Sequence, residues 1–184
     1  LPLTLSKQEI DAIPPADLSE ILEDLDIHQR VALFKSLDTE LQGEILGELE
    51  QRFQKELIEE LDVTTAARVL EEMPSDEATD ILQALKRPSR QQLLKAVSSP
   101  KASKLSELLS HHKDSAGGLM TTEFIRLPIT CNVNEAITQI KNQTEDAETI
   151  HYAYVVTENQ DLEGMVYFRE LLEVDGQTPI TKIM

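Results

Sequence analysis

Eight apolar residues spaced twelve apart govern what the first half of this chain can fold into. They are Leu25, Leu37, Leu49, Leu61, Met73, Leu85, Val97 and Leu109. An apolar pair stands three to four residues before each of the first seven: Ile21-Leu22, Leu33-Phe34, Ile45-Leu46, Leu57-Ile58, Val69-Leu70, Ile81-Leu82 and Leu93-Leu94. The eighth copy weakens to Leu105-Ser106. Three apolar slots kept through seven copies mark an internal repeat, and a unit this short must stack on its neighbours to bury its apolar face.

Each unit has room for a helix of roughly nine residues and a turn. Asp26, Asp38 and Asp62 occupy the turn slot and are good N-caps, while Pro14 and Pro74 interrupt helix at the same slot. Numbered by the first copy, slots 18, 21, 22 and 25 fall within a stripe about 100° wide, as expected of a helix with one buried face. A helix of that length rises only about 14 Å and is marginal alone in water. The spacing therefore predicts a superhelical solenoid of about eight short helices, with the residues before Pro14 as an entry cap.

Slots 16 and 20 lie opposite the stripe. Slot 20 holds Glu20, Glu44, Glu56 and Asp80 against Arg68 and Lys104, and slot 16 adds Glu40 and Asp76. Glu40/Glu44 and Asp76/Asp80 are thus i,i+4 carboxylate pairs, which destabilise a helix by a few tenths of a kcal/mol. A bound cation would remove that cost; a solvated acidic face is the plainer reading of the pattern alone.

The formal net charge of -17 argues against nucleic acid or anionic membrane as partner, because both require basic surface. It favours a metal cation, a basic partner or plain solubility. Both halves share it: residues 1–115 hold 23 acidic and 13 basic residues, and 116–184 hold 11 and 4. Cys131 is the single cysteine, so no internal disulfide can form; it reads as a small filler residue in a reducing compartment. No run of about 18 apolar residues exists to span a bilayer, and no signal peptide is visible. The chain opens without Met and stops at Met184 with no evident terminator, which reads as a soluble fragment.

Asp114-Ser-Ala-Gly-Gly-Leu-Met-Thr-Thr-Glu123 separates the repeat from the rest of the chain. Gly117-Gly118 permits φ > 0 and can end a helix and turn the chain, or serve as a plain linker. Beyond it, Phe124–Leu127 reads as a strand, Asn132 or Asn134 caps a helix, and Tyr152–Thr157 and Leu162–Phe168 pair as a hairpin around Glu158–Asp161. A last helix begins at Arg169 and stops by Gly176 and Pro179. Strand, helix, strand, strand, helix in about 60 residues leaves a small core and one face or edge in need of a partner. No catalytic set appears: the glycine pair lacks phosphate-loop spacing, His111-His112 are surface residues on different sides of any helix, and His151 is structural at a strand start. The chain is not expected to be an enzyme.

A short-helix array, then Ala116-Gly-Gly-Leu-Met-Thr121, then this mixed unit resembles the cytosolic region of MgtE-type magnesium channels. Asp146-Ala-Glu-Thr-Ile-His-Tyr-Ala-Tyr-Val-Val and Gly164-Met-Val-Tyr-Phe-Arg-Glu-Leu-Leu are similar to the family's first CBS motif. The resemblance implies an α plus α/β fold: a helical solenoid domain at residues 1–115 and a single CBS motif at 116–184, with a second CBS motif and a membrane pore domain beyond this chain. It implies a cytoplasmic-side sensor in a homodimer joined through the CBS region. Magnesium held by acidic side chains between the domains favours a closed pore. By match to the family's acidic positions, Glu44, Asp76 and Asp80 are the implied Mg2+ ligands. CBS motifs often take adenosine nucleotides, so the resemblance also implies ATP, with Tyr152 stacking the base and Arg169 and Glu170 on ribose and phosphates. This sequence departs from that pattern: Tyr167-Phe168 stand where Ser or Thr is common, and Glu170 where Asp is usual. The competing expectation is an acidic helical-repeat interaction scaffold carrying a CBS module, as in flagellar rotor proteins.

Overall fold

The computed structural model describes residues 10, 12–144, 147 and 149–184. Eight helices carry the repeat: α1 (Pro15–Asp24), α2 (Ile27–Ser36), α3 (Thr39–Glu48), α4 (Gln51–Glu60), α5 (Val63–Glu72), α6 (Ser75–Ala84), α7 (Arg87–Ala96) and α8 (Ser99–Leu109). The first seven have ten residues each and the eighth has eleven. All but Ile10, Ala12 and Ile13 of the expected entry cap lies outside the described residues, and Ile10 and Ile13 pack against the helical core.

Each helix packs on the helix two positions along, so α1, α3, α5 and α7 form one row and α2, α4, α6 and α8 another. This explains the burial gradient along the repeat. Slot 22 is buried from Leu22 to Leu82, half-buried at Leu94 and exposed at Ser106. Ile21, with no copy before it, is 43% exposed, whereas Ile45, Leu57, Val69 and Ile81 at the same slot are covered on both sides.

Slot 18 departs from the expected apolar stripe. After Leu18 it carries Arg30, Gln42, Gln54, Ala66, Ala78, Arg90 and Ala102. The polar members turn back to the preceding helix and donate to its last carbonyls, which lack the i+4 N–H of a helix interior; Leu22, Phe34 and Leu82 O also accept a long C-cap N–H bond (3.3, 3.2 and 3.3 Å). Gln42 Nε2 donates to Phe34 O (2.6 Å), and Gln54 Nε2 to Leu46 O (2.9 Å). Arg30 Nε donates to Leu22 O (2.8 Å), its Nη2 to Leu25 O (2.9 Å), and Arg90 Nε to Leu82 O (2.7 Å). Arg30 is 4% exposed, ion-pairs with Glu56 (3.1 Å) and lies over the Phe53 ring. A buried polar side chain is tolerable because its donors meet helix-end carbonyls with acceptor capacity to spare.

The turns follow expectation in part. Asp26 accepts from His28 N and Gln29 N, and Asp62 from Thr65 N, whereas Asp38 stands at the N-cap without a capping bond. Glu23 of α1 accepts the Glu50 N–H at the start of α4, and Glu71 of α5 does the same for Ser98 at the start of α8. These contacts, four repeats apart, fasten one row to the other.

The chain divides into two compact units, residues 1–120 and 121–184. The Gly117-Gly118 pair lies in a short helix, α9 (Ala116–Leu119), in the first unit. Neither glycine has positive φ, so the expected left-handed turn does not form. The glycines are needed for closeness instead: a Cβ on Gly117 would strike the His111 ring, and one on Gly118 would strike the His112 carbonyl and Lys113 Cα.

The second unit holds a three-stranded sheet in the order β1 (Arg126–Pro128), β2 (Tyr152–Val156), β3 (Leu162–Tyr167). β1 and β2 are parallel, joined through α10 (Val133–Gln143), and β2 and β3 form an antiparallel hairpin. Asn132 caps α10 in a capping box with Glu135. Gln160 takes φ 67° in the hairpin turn. β1 is shorter and later than expected, and the last helix, α11, is only Phe168–Leu171. One sheet face buries Leu127, Ala153, Val155 and Val166 with Val133, Ala136 and Ile140 of α10. Cys131 sits in this core, its thiol pushed up by burial and by nearby Glu135, as suits an inert filler. The other sheet face carries Phe124, Tyr154, Tyr152 and Tyr167 in successive edge-to-face contacts. Tyr167 is 50% exposed there. None of the described helices is long and apolar enough to cross a membrane.

Candidate metal and nucleotide sites

Slots 16 and 20 reach the outside of the stack as their angle requires. Glu44 on α3 and Asp80 on α6 are exposed, and Asp76 is half-buried. Asp76 and Asp80 stand one turn apart on the same flank of α6. Burial first, and the Asp76 charge second, push the Asp80 carboxyl above the usual aspartate range. Asp76 Oδ1 is itself buried, with no hydrogen-bond partner among the described residues. An orphaned carboxylate oxygen beside a second, repelled carboxylate is an unmet demand for a cation or a proton.

Glu44 belongs to the other row of helices. The two rows meet near it: the Glu77 carboxylate of α6 lies over Gly47 of α3, at 2.6 Å from where a Cβ would stand. Gly47 is one turn along from Glu44, and Glu77 one turn before Asp80. Glu77 escapes sequence reasoning because it falls outside slots 16 and 20; its signal is Gly47, which leaves space for it. Among the described residues no three His, Cys, Asp or Glu side chains converge on a common metal position. The stack thus brings Asp76 and Asp80 together and holds Glu44 on the neighbouring helix without closing a cage.

In the second unit a cleft of ≈ 540 Å³ is lined by Ile150, His151, Tyr167, Phe168, Arg169, Glu170 and Leu172. Arg169 and Glu170 both reach it. Among the described residues the Arg169 side chain makes one ion pair, a solvent-exposed contact with Glu173 (3.7 Å), and Glu170 accepts the Tyr167 N–H (3.1 Å), so it holds the start of α11. Tyr152 is not among the lining residues; it sits on the open sheet face, its ring 6.5 Å from that of Tyr167. Part of the Asp146–Val156 motif, at residues 146 and 148, lies outside the described residues.

Comparison with known proteins adds to this geometry. The family model "MgtE intracellular N domain" matches residues 13–114, and the "CBS domain" model matches residues 116–176. Among curated proteins, the magnesium transporter MgtE of Enterococcus faecalis is 40% identical over 78 residues, and that of Thermus thermophilus 38% over 77. Each alignment covers 42% of this chain and 17% of the relative, so the match spans under a fifth of the curated transporters' length. A crystal structure of the cytosolic domain of the Mg2+ channel MgtE in complex with ATP superposes with a TM-score of 0.90 at 29% identity, covering 97% of this chain and 73% of that one. A crystal structure of the soluble part of a magnesium transporter gives 0.85 at 30% identity, covering 96% and 70%.

Proposed function

The chain belongs to the MgtE family, and from that premise we propose that its helical stack is the magnesium-sensing part of a transporter's cytosolic region. The observation that carries this reading is the Asp76–Asp80 pair, with its orphaned buried oxygen and its mutual repulsion. Bound Mg2+ would supply two positive charges that several carboxylates can share. Asp76 and Asp80 on α6 would hold the ion, with Glu44 on α3 as the third acidic group of the site. An ion held only when the domains close adds free energy to the closed arrangement alone, which is what a ligand-driven switch requires. High magnesium therefore favours a compact cytosolic region and a shut pore, and falling magnesium releases both.

The open aromatic face of the sheet supports a second CBS motif packing on this unit, and a homodimer joined through the CBS region. The cleft holding Arg169 and Glu170 favours a further reading, adenosine nucleotide binding. Arg169 would face phosphates and Glu170 the ribose, with Tyr152 admitted only if the second motif completes the site around it.

Small-angle scattering of the cytosolic region, extended through its second CBS motif, tests the magnesium reading. The radius of gyration should fall on raising Mg2+ into the millimolar range, and should not fall in the Glu44→Ala/Asp76→Ala/Asp80→Ala variant. An equal contraction in both proteins, or none in either, refutes it.

A further inference from the structure

Charge is segregated along the helical stack. Residues 14–85 hold 19 acidic and 5 basic residues, whereas residues 86–113 hold 7 basic and one acidic. Three of those cations have structural partners: Arg90 caps the end of α6, Lys101 reaches the Met73 carbonyl, and Lys104 is engaged within the fold. Lys86, Arg87, Lys95 and Lys113 remain exposed, with no ion pair to another described residue; the first three lie on or at the start of α7. Arg87 and Lys95 flank the exposed side of α7, along with Gln91 and Gln92, opposite buried Leu93 and Val97.

The placement of two of them runs against local physics. Lys86 is the N-cap of α7 and Arg87 its first residue, and the first turn contains no acidic residue. Cations at the positive end of a helix dipole cost a few tenths of a kcal/mol or more each. A local rule broken without compensation inside the fold points to a role outside it. In a chain of net charge -17, the complementary surface is abundant on the chain itself.

We propose that the α7 end of the solenoid is a docking surface for the acidic helices of a second copy of this chain. Two copies related by a twofold axis would place each basic end against the other's acidic array, so the contact forms twice. Opposed charge of this kind sets orientation and encounter rate and weakens with salt. The surface lies in the helical unit and uses neither the CBS region nor the Asp76–Asp80 pair, so its failure leaves the magnesium reading untouched.

The test uses the whole chain, mixed in equal parts from normal and ¹⁵N-labelled preparations, without magnesium. A carbodiimide couples lysine amines to carboxylates in direct contact, and mass spectrometry separates links within a chain from links between light and heavy chains. Light–heavy links should join Lys86 or Lys95 to carboxylates of residues 17–72. Their yield should fall about tenfold between low and half-molar salt, following Debye screening. They should fall several-fold in the Arg87→Glu variant, which keeps both reactive lysines and whose helical circular dichroism stays that of the parent because the side chain is exposed. Links confined to single chains, or light–heavy links that survive the charge reversal, overturn the proposal. So does salt-sensitive binding of α7 to phosphatidylserine vesicles without light–heavy links, which would assign the surface to a membrane.

Discussion

Replacing Asp80 with Asn should stabilise the protein without magnesium and weaken it with magnesium. In the parent, Asp80 faces Asp76 one turn away and carries a carboxyl pushed up by burial and by that neighbour. Asn keeps the shape and removes the charge. An i,i+4 repulsion is worth about 0.3–0.5 kcal/mol, and Asp80 is exposed enough for solvent to screen it toward the lower figure. For a chain of this size that raises the melting temperature by about 1 °C. Magnesium acts in the opposite sense. An ion at about ten times its dissociation constant stabilises the parent by about 1.4 kcal/mol, or about 3–5 °C, and the variant loses most of it. The two melting curves should therefore change order between EDTA and roughly 10 mM Mg2+, the range of weak carboxylate sites, with sodium chloride of equal ionic strength as control. The pH dependence follows from the raised carboxyl. The folded state takes up this proton before the unfolded chain does, so the parent's deficit is present at neutral pH. It closes as pH falls through the raised value toward the ordinary 3.8. If the variant is the less stable protein in EDTA, or gains as much from Mg2+ as the parent, the carboxylate-pair argument is wrong.

Arg30→Met should cost about 2 kcal/mol, because it strips the side-chain donor from the Leu25 carbonyl, leaves Leu22 O its long C-cap N–H bond, and removes the Glu56 ion pair; chemical denaturation would show this as a lower midpoint with an unchanged slope. Gly118→Ala should loosen residues 112–120 in hydrogen exchange while α1 to α7 keep their protection, since its methyl meets backbone at His112 and Lys113. Glu170→Ala should remove the acceptor of the Tyr167 N–H and weaken ATP binding measured by calorimetry, with Arg169→Ala weakening it further through the lost phosphate contact; ATP affinity unchanged in both would dismiss the nucleotide reading of that cleft.

The helical stack is readable because a twelve-residue period forces each copy to bury the same slots, and Leu46, Ile58 and Leu70 all obey it. Slot 18 misleads when judged from its first copy, Leu18. The later Arg30, Gln42 and Gln54 are polar yet turned inward, and a hydropathy stripe cannot distinguish a buried donor from a solvent-facing one. Gly117-Gly118 illustrates a different ambiguity: glycine serves positive φ and close approach equally well, and only the neighbours, here His111 and His112, decide which. The acidic face of Glu44 and Asp80 follows from helical angle, but convergence across helices does not. Nothing in the spacing tells that Glu77 crosses to Gly47, because that contact depends on how α3 and α6 pass each other. The short α11 reflects the same limit, since Leu172 and Glu173 continue the helical pattern while the chain has already turned away.

Manganese(II) occupies magnesium sites and broadens the resonances of nearby nuclei, so a ¹⁵N–¹H spectrum of the labelled chain titrated with trace Mn2+ reads the ion's position directly. Broadening should centre on α6 around Asp76 and Asp80, extend to Glu44 and Gly47 on α3, and be reversed by excess Mg2+. Broadening centred elsewhere, or spread evenly over every acidic helix, would contradict the claim that this stack builds a defined place for the ion.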